Sequence, residues 1–573
     1  MRNLRKGPIA AVLAGCVCAA HGAVDLGAYK GCAANDGQFN HVQLYKGPVV
    51  TSDVASNGVL KFTFVKQPGG FVDVYFIQKM GTVQRYNGKT GTVDSLGTIT
   101  VDHATGEQGL VGVAVRNDFL KNPWMYFNYS SLEAGGTFSF RIARIKLTSD
   151  LAHLDNATEK ILIKIPRMKV SWHTAGDLQF DDYDDLWAAI GDNQQTDLGP
   201  ANTADMRGGV LRIHPDETAK GYSVPAGNFG EKYAAFYKAQ GKPDVAALFA
   251  DTSKVKPEIY VKGTRNAYTI SVDPVRRWLA WGDVGPDQGK VSEEANLVKE
   301  PFYMGWPYFA GEEDMAGISP YNVAISSGST RAAPVNTNAT VAGVKNLPAI
   351  REPIFARDEG CSMTGPIFRY DGSNPSPTQF PPQFDRKWLV SGCDGFGFHL
   401  MTLDSAGEKI TADLKIFTGI HPPTLVDLKQ GPDGALYYVS WNLGLYRFEY
   451  AGTCKDAALL PEKTGCADPK AVNYDSKLPK AYNDERLCQM NTGIAHVTGS
   501  AAWMEFDRRW VSVSAPGAHR IEILDVRGRV VASMKGSGPA SHTLPALPGP
   551  GYYRLRVISA LGEVQAGFSA LEP

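Results

Sequence analysis

Between Val74 and Trp441 one pattern of apolar and polar positions recurs along the chain. An alternating apolar run leads into a turn rich in Asp, Pro, Asn or Gly, and a second run carrying an aromatic follows. The copies are Val74–Tyr86, Val111–Tyr129, Leu178–Gly191, Thr269–Gly282, Phe384–Gly392 and Leu428–Trp441. Alternation puts one side of each run in a core, and a tight turn between two such runs makes a hairpin. Degenerate hairpins in series predict an all-β, closed and radially repeated architecture, a β-propeller. The segment Thr105–Gly112 (TGEQGLVG) opens the second copy with a polar, glycine-rich start.

Texture along the chain sets the expected domain limits. Residues 23–60 hold scattered turn formers, with one strand, Val59–Val65, beginning at their end. The propeller is expected over 61–453, with Gly444–Tyr450 as its last strand. Two insertions interrupt it: Asn228–Ser253, where Lys232–Gln240 and Asp244–Phe249 look helical, and Ala316–Lys345, rich in Ser, Thr, Asn and Ala. Such insertions shape one face of a propeller. Residues 454–490 read as a small disulfide-bounded module, Gly465–Cys488. Its Asp468, Asp475 and Asp484 are read as turn formers rather than calcium ligands. Residues 494–573 alternate as short strands, Trp510–Ser514, His519–Asp525, Val530–Met534, His542–Leu544, Tyr552–Ile558 and Val564–Ser569, and predict an Ig-like β-sandwich.

Composition narrows the class. The 573 residues carry a net charge of -1, so no electrostatic footprint for nucleic acid is present. Arg2, Arg5 and Lys6, the apolar run Ile9–Val17 and the site Ala20-His21-Gly22 form an export signal, residues 1–22. A lipoprotein box at Leu13–Cys16, with Cys16 lipidated, is the rival reading. No segment reaches the ~18 apolar residues of a membrane span. Cleavage before Ala23 leaves Cys32, Cys361, Cys393, Cys454, Cys466 and Cys488, an even number that reads as a disulfide framework in an exported chain. The favoured pairs are Cys466–Cys488, Cys361–Cys393 and Cys32–Cys454. A secreted or cell-surface location follows, with a periplasmic or lipoprotein location as the alternative.

Candidate chemistry clusters at the polar ends of the apolar strands. Glu107-Gln108 is the first cluster. His173 and Asp192 flank a hairpin, and going out and back along two strands returns the carboxylate to the level of the imidazole. That arrangement orients a general base and raises its basicity. Arg265-Asn266 is the third cluster, and Gly285-Pro286 opens an acidic loop with Asp287, Glu293 and Glu294, whose hard oxygen donors suit calcium. Each of the last two, taken alone, also reads as a solvated turn or a surface ion pair.

Together these segments resemble the soluble quinoprotein glucose/sorbosone dehydrogenases. The likeness runs from GEQGLVGVAV at 106–115 through His173 ahead of Gly176–Phe180, Ile190-Gly191-Asp192, Gly208–Asp216, Glu258–Asn266, Gly282–Pro286, Glu294–Pro307 and Gly431–Val439. It implies six four-stranded blades with pyrroloquinoline quinone (PQQ) and calcium at the channel mouth. It implies His173 as the base for the sugar C1 hydroxyl and Asp192 as its orienting carboxylate. The hydride would pass to the quinone C5 carbonyl, polarised by calcium and Arg265. Asn266 and Glu107-Gln108 would lie at cofactor and substrate, and the carbonyls of Gly285 and Pro286 would ligate calcium. An external electron acceptor is required, because no CxxCH haem site exists. A homodimer rests on family likeness alone. The segments Ile521–Val530 and Gly551–Val557 resemble the sorting domain of the type IX secretion system, which implies secretion machinery as a partner.

The sequence departs from this family where the anionic cofactor needs cations. The family's Lys position falls near Cys393-Asp394, and its two Arg positions fall within Pro422–Val426, which has no basic residue. His421 is the nearest candidate, and Lys429 sits further along a strand. The expectation is therefore an exported PQQ- and calcium-dependent sugar dehydrogenase. The alternative is a cofactor-less propeller that binds carbohydrate or protein.

Overall fold

The computed structural model describes residues 39–48, 56–452 and 503–570. Within these it leaves out 105, 170–171, 195–198, 274–275, 287–292, 312, 315–329, 337–341, 358–360, 372–375, 394–395, 418–419, 421–423, 507–509, 515–516, 526–528, 539, 546–550 and 560–561. The chain divides into two units, Met1–Ala457 and Ala458–Pro573. The proposed leader, the small module, Cys32–Cys454 and Cys466–Cys488 lie outside the described residues.

The first unit is a six-bladed propeller. The innermost strands of blades one to six are Val59–Lys66, Leu110–Val115, Ala175–Phe180, Ala267–Val272, Ser362–Ile367 and Leu425–Gln430. Each packs on the inner strands of both neighbouring blades, the sixth on the first, so the ring is closed. Closure leaves no exposed sheet edge along the channel. The alternation that announced the hairpins is the inner and second strand of blades two, three, four and six.

Two copies fall differently. Val74–Tyr86 joins the second and third strands of blade one, because that blade's inner strand lies further upstream. Phe384–Gly392 holds a short 3-10 turn, Pro382–Phe384, and one strand, Trp388–Gly392. Its hairpin partner is Ser362–Ile367, across a proline-rich connection.

The recurring aromatics wedge the blades together. Trp187, Trp281 and Trp388, on the second strands of blades three, four and five, are fully buried. Trp187 packs with Ile270, Val272 and Trp281 of blade four, and Trp388 packs with Ala280, Ala295 and Leu297 of the same blade. Fully burying an aromatic of this size stabilises by about 1.5–3 kcal/mol. The helices Phe229–Ala239 and Pro243–Ala250 cover blade three through Phe229, Tyr233 and Phe249. Among the described residues no helix is long and apolar enough to cross a membrane.

One strand escaped the sequence pattern. Phe39–Lys46, in a segment expected to hold only the strand at Val59, pairs antiparallel with Gly444–Tyr450 and forms the outer edge of blade six. It is mostly half-exposed and lacks a clean alternation, as an outer strand can be. Cys361 and Cys393 form the expected disulfide, fastening the start of blade five's inner strand to the end of its second.

Register slips where the inner strands of five blades begin: between Val59 and Lys61, Leu110 and Gly112, Ala175 and Leu178, Ala267 and Thr269, and Leu425 and Asp427. A bulge bends its strand and re-aims the adjoining side chains. Here the bulges lie beside the ends that carry Glu107, His173 and Arg265.

The second unit has a three-stranded sheet, Trp503–Phe506, Trp510–Ser514 and Ala540–Thr543, and a four-stranded one. The latter orders Val530–Ser537, Ala518–Leu524, Gly551–Ser559 and Gly562–Ala570 side by side. Val511 and Val513 from the first meet Ile521, Ile523, Leu555 and Val557 from the second in one core.

Candidate active site at the channel mouth

His173 and Ala175 both adopt left-handed backbone, with φ of 54° and 46°. Such backbone is uncommon outside glycine and persists only where the surroundings impose it. The surroundings do so here. The His173 carbonyl accepts the Asn193 N–H at 3.1 Å and lies against Gly191, where a Cβ would come within 1.9 Å of it. Glycine at 191 is thus required by close approach.

The hairpin does return Asp192 to His173. Nδ1 of the imidazole lies 2.6 Å from Asp192 Oδ1, and both side chains are buried. Oδ1 also accepts the Gln194 N–H at 2.7 Å, and Oδ2 accepts the Trp306 indole N–H at 2.8 Å. Three donors thus fix the orientation of the carboxylate. Its bond to Nδ1 fixes the tautomer that leaves Nε2 as the proton acceptor.

Blade four supplies the next layer. The Asp192 N–H donates to the Arg265 carbonyl at 2.8 Å. The N–H groups of Arg265 and Asn266 donate to Asp283, and the Arg265 guanidinium donates to the Val284 carbonyl at 2.9 Å. Asn266 Oδ1 accepts the Ala175 N–H at 3.0 Å, and its amide nitrogen donates to Glu107 at 3.3 Å. Glu107 also accepts the Thr174 N–H at 3.1 Å. His173, Asp192, Arg265, Asn266 and Glu107 therefore form one connected network across blades two, three and four.

Gln108 does not join it. Its amide donates to Asp102 at 2.9 Å and accepts from Arg167 at 3.2 Å. Gln108, expected at the cofactor, here bonds both partners of the Asp102–Arg167 ion pair.

A small cleft, partly open to solvent, lies beside the network, lined by residues that include Arg265, Asp283, Gly285, Pro286, Glu294 and Trp306. Glu293 accepts the N–H groups of Gly285 at 3.0 Å and of Ser362 at 2.6 Å, tying the Gly-Pro corner to blade five. Asp287 lies outside the described residues. Burial is the chief cause of raised carboxyl pKa values here. It pushes Asp283 up to about 6, Glu293 up to about 7 and Glu294 up to about 8. Among the described residues no cluster of three metal-ligating side chains forms, so a cation here would lean on backbone carbonyls.

These shifts have a sign. An acid whose pKa is higher folded than unfolded favours the fold at low pH and loses that contribution as pH rises. Cation-free protein is expected to lose thermal stability from about pH 4.5, the ordinary value for Glu, to about pH 8. Tm measured across that window in wild type and Glu294→Gln checks this, the variant giving the flatter slope. An equal slope in the two proteins contradicts it.

The carbonyls of Gly285 and Pro286 are hard oxygen donors of the kind calcium takes, while Asp283, Glu293 and Glu294 already accept backbone or amide N–H groups. For the three carboxylates of PQQ, calcium and Arg265 would together supply three positive charges. Arg357, opposite Glu293 in the strand register, lies on the outer strand of blade four and donates to the Cys361 carbonyl at 2.8 Å. Cys393 is committed to its disulfide, and Lys429 to Asp177 at 3.1 Å and Asp427 at 2.5 Å. Asp394 and His421 lie outside the described residues.

Sequence reasoning missed Trp306 and Asp283, although both lie in segments that carried the family resemblance. It also missed a buried layer made by Lys61, Asp177, Asp427 and Lys429 on the inner strands of blades one, three and six. The signal was a charged residue at the third position of three apolar inner strands.

A closed propeller whose mouth carries a carboxylate-backed imidazole beside a guanidinium is a scaffold for drawing a proton from a bound hydroxyl. The glucose/sorbosone dehydrogenase family model matches residues 68–443, and the chain belongs to that family. It is 23% identical over 337 residues to the aldose sugar dehydrogenase YliI of Escherichia coli, covering 59% of this chain and 75% of that protein. Among solved structures, the apo-form soluble aldose sugar dehydrogenase of Escherichia coli is similar at 19% identity. The match covers 72% of this chain and 99% of that one, with a TM-score of 0.49. The PQQ-bound aldose sugar dehydrogenase of Streptomyces coelicolor is similar at 17% identity. There the match covers 72% and 98%, with a TM-score of 0.47.

Proposed function

We propose that the chain is an exported sugar dehydrogenase of the aldose or sorbosone type that uses PQQ and calcium. The observation that carries this reading is the His173–Asp192 pair at 2.6 Å, joined through blade four to a pocket of hard oxygen donors and Arg265.

Oxidation of a sugar C1 hydroxyl to a carbonyl removes one proton and one hydride. His173 Nε2 takes the proton from the hydroxyl, and Asp192 stabilises the imidazolium that results. Glu107 and Asn266, bonded to each other, hold the loop that carries His173 and border the space for the sugar. Gly285 and Pro286 would hold calcium through their carbonyls, and Arg265 would meet an anionic oxygen of the cofactor. When bound, PQQ supplies the two-electron acceptor for the hydride, and the electrons then leave to an external acceptor.

Binding and turnover test the reading together. PQQ and calcium added to purified protein should bind at micromolar concentration and support dye reduction with a panel of aldoses. The second reading, a cofactor-less binding propeller, is favoured by one observation: the basic positions expected on blades five and six are absent or committed elsewhere. Sugar binding by calorimetry without any PQQ binding would select it.

Export is supported by the basic and apolar N-terminal segment and by the Cys361–Cys393 disulfide, which belongs to an oxidising compartment. The C-terminal β-sandwich is proposed as the sorting domain that delivers the enzyme to the cell surface.

A further inference from the structure

We propose that Trp306 is a positioning residue that couples the proton acceptor to the cofactor pocket; this rests on the assignment of His173 as the base. One face of the argument is the indole N–H, which donates to Asp192 Oδ2 at 2.8 Å while His173 and Gln194 share Oδ1. The other is the ring, which lines the pocket and lies 5.8 Å from the Arg265 guanidinium. Arg265 in turn accepts the Asp192 N–H through its carbonyl. A single side chain thus touches the support of the base and the cation of the pocket.

The indole is fixed before anything binds. Its own N–H backbone group donates to the Gly263 carbonyl at 3.0 Å, and its carbonyl accepts the Tyr303 hydroxyl at 3.1 Å. Trp306 and Asp192 are 4% and 1% exposed, so no solvent replaces the indole if it is lost. A buried carboxylate oxygen without its donor keeps the full cost of desolvation.

Among the described residues, few charged and titratable groups bond His173 or its supports. Asp192 bonds it directly, Glu107 holds the next residue through the Thr174 N–H, and Arg265 and Asp283 stand behind Asp192. The donors on Asp192 share its negative charge. Removing one leaves more of that charge for the imidazolium, which then keeps its proton to higher pH.

Trp306→Phe removes the N–H and keeps an aromatic wall. The loss of a hydrogen bond to a charged group should lower kcat by about tenfold or more. The sugar KM should change by less than about twofold, because no substrate contact is removed. The acid limb of the kcat profile should move to higher pH. In cofactor-free protein, the downfield proton resonance of the His173–Asp192 hydrogen bond should shift. Trp306→His, which retains an N–H donor, should recover part of kcat and of the resonance position.

A folded Trp306→Phe protein with the wild-type acid limb and an unmoved resonance would overturn the proposal. If His173→Ala leaves turnover intact, the base assignment fails instead. The resonance in cofactor-free protein still reports whether Trp306 acts on the pair.

Discussion

His173→Ala is expected to lower kcat by a factor of about 100 to 10,000, the span over which a positioned base contributes. Calcium and PQQ affinity should stay near wild type, because the carbonyls proposed to ligate calcium and Arg265 lie on blade four while His173 lies on blade three. The split between turnover and binding is the informative result. Among the described residues the imidazole makes one side-chain hydrogen bond, to Asp192, so its removal leaves the backbone contacts of the loop in place. Stopped-flow reduction of the bound cofactor by excess aldose, beside calorimetric titration of PQQ, measures both. Equal turnover in the variant would refute the role of His173 as base. Loss of both turnover and PQQ binding would show instead that the variant disturbs the pocket.

The second large effect concerns stability. Lys61, Asp177, Asp427 and Lys429 form a neutral set of two cations and two anions inside the channel, and Asp177 and Asp427 are fully buried. Lys61 also donates to the carbonyls of Tyr268 at 2.8 Å and Val426 at 2.9 Å, binding blades one, four and six. Lys429→Met leaves two buried aspartates facing one lysine. Removing one partner from a buried pair costs about 3–5 kcal/mol. A fall of that size in unfolding free energy, read by urea titration, is expected. Lys429→Met with Asp427→Asn restores neutrality and should recover more than half of the loss, a non-additivity that marks a shared network. A single variant within about 1 kcal/mol of wild type would show that solvent reaches this layer.

The sequence and the structure agree where chemistry and periodicity coincide. Leu178–Gly191 was readable as a hairpin because alternation on both strands brackets the turn at Asp181–Asp185, and the return of Asp192 to His173 follows from that geometry. The Arg265-Asn266 and Gly285-Pro286 clusters sit at the ends of another such hairpin. Phe39–Lys46 was hidden because an outer strand is partly solvated and shows no strong alternation. Trp306 was hidden for another reason. Its bond to Asp192 joins positions 114 residues apart, and no local pattern encodes a contact made only when blades three and four pack together. The Lys61 layer was half visible, as charges in apolar strands, but their pairing also depends on closure.

The outer strand of blade six comes from the opposite end of the propeller sequence. His41 and Tyr438, 397 positions apart, share a hydrogen bond across that seam. Such a seam makes completion of the ring the most non-local event in the unit, and non-local pairing is slow because the connecting loop must be ordered first. During synthesis or transport, therefore, no emerging portion of the propeller can seal itself until residues 444–450 arrive. Until that moment Phe39–Lys46 presents unpaired backbone to any other strand, so the period before sealing is when the chain most needs protection from aggregation.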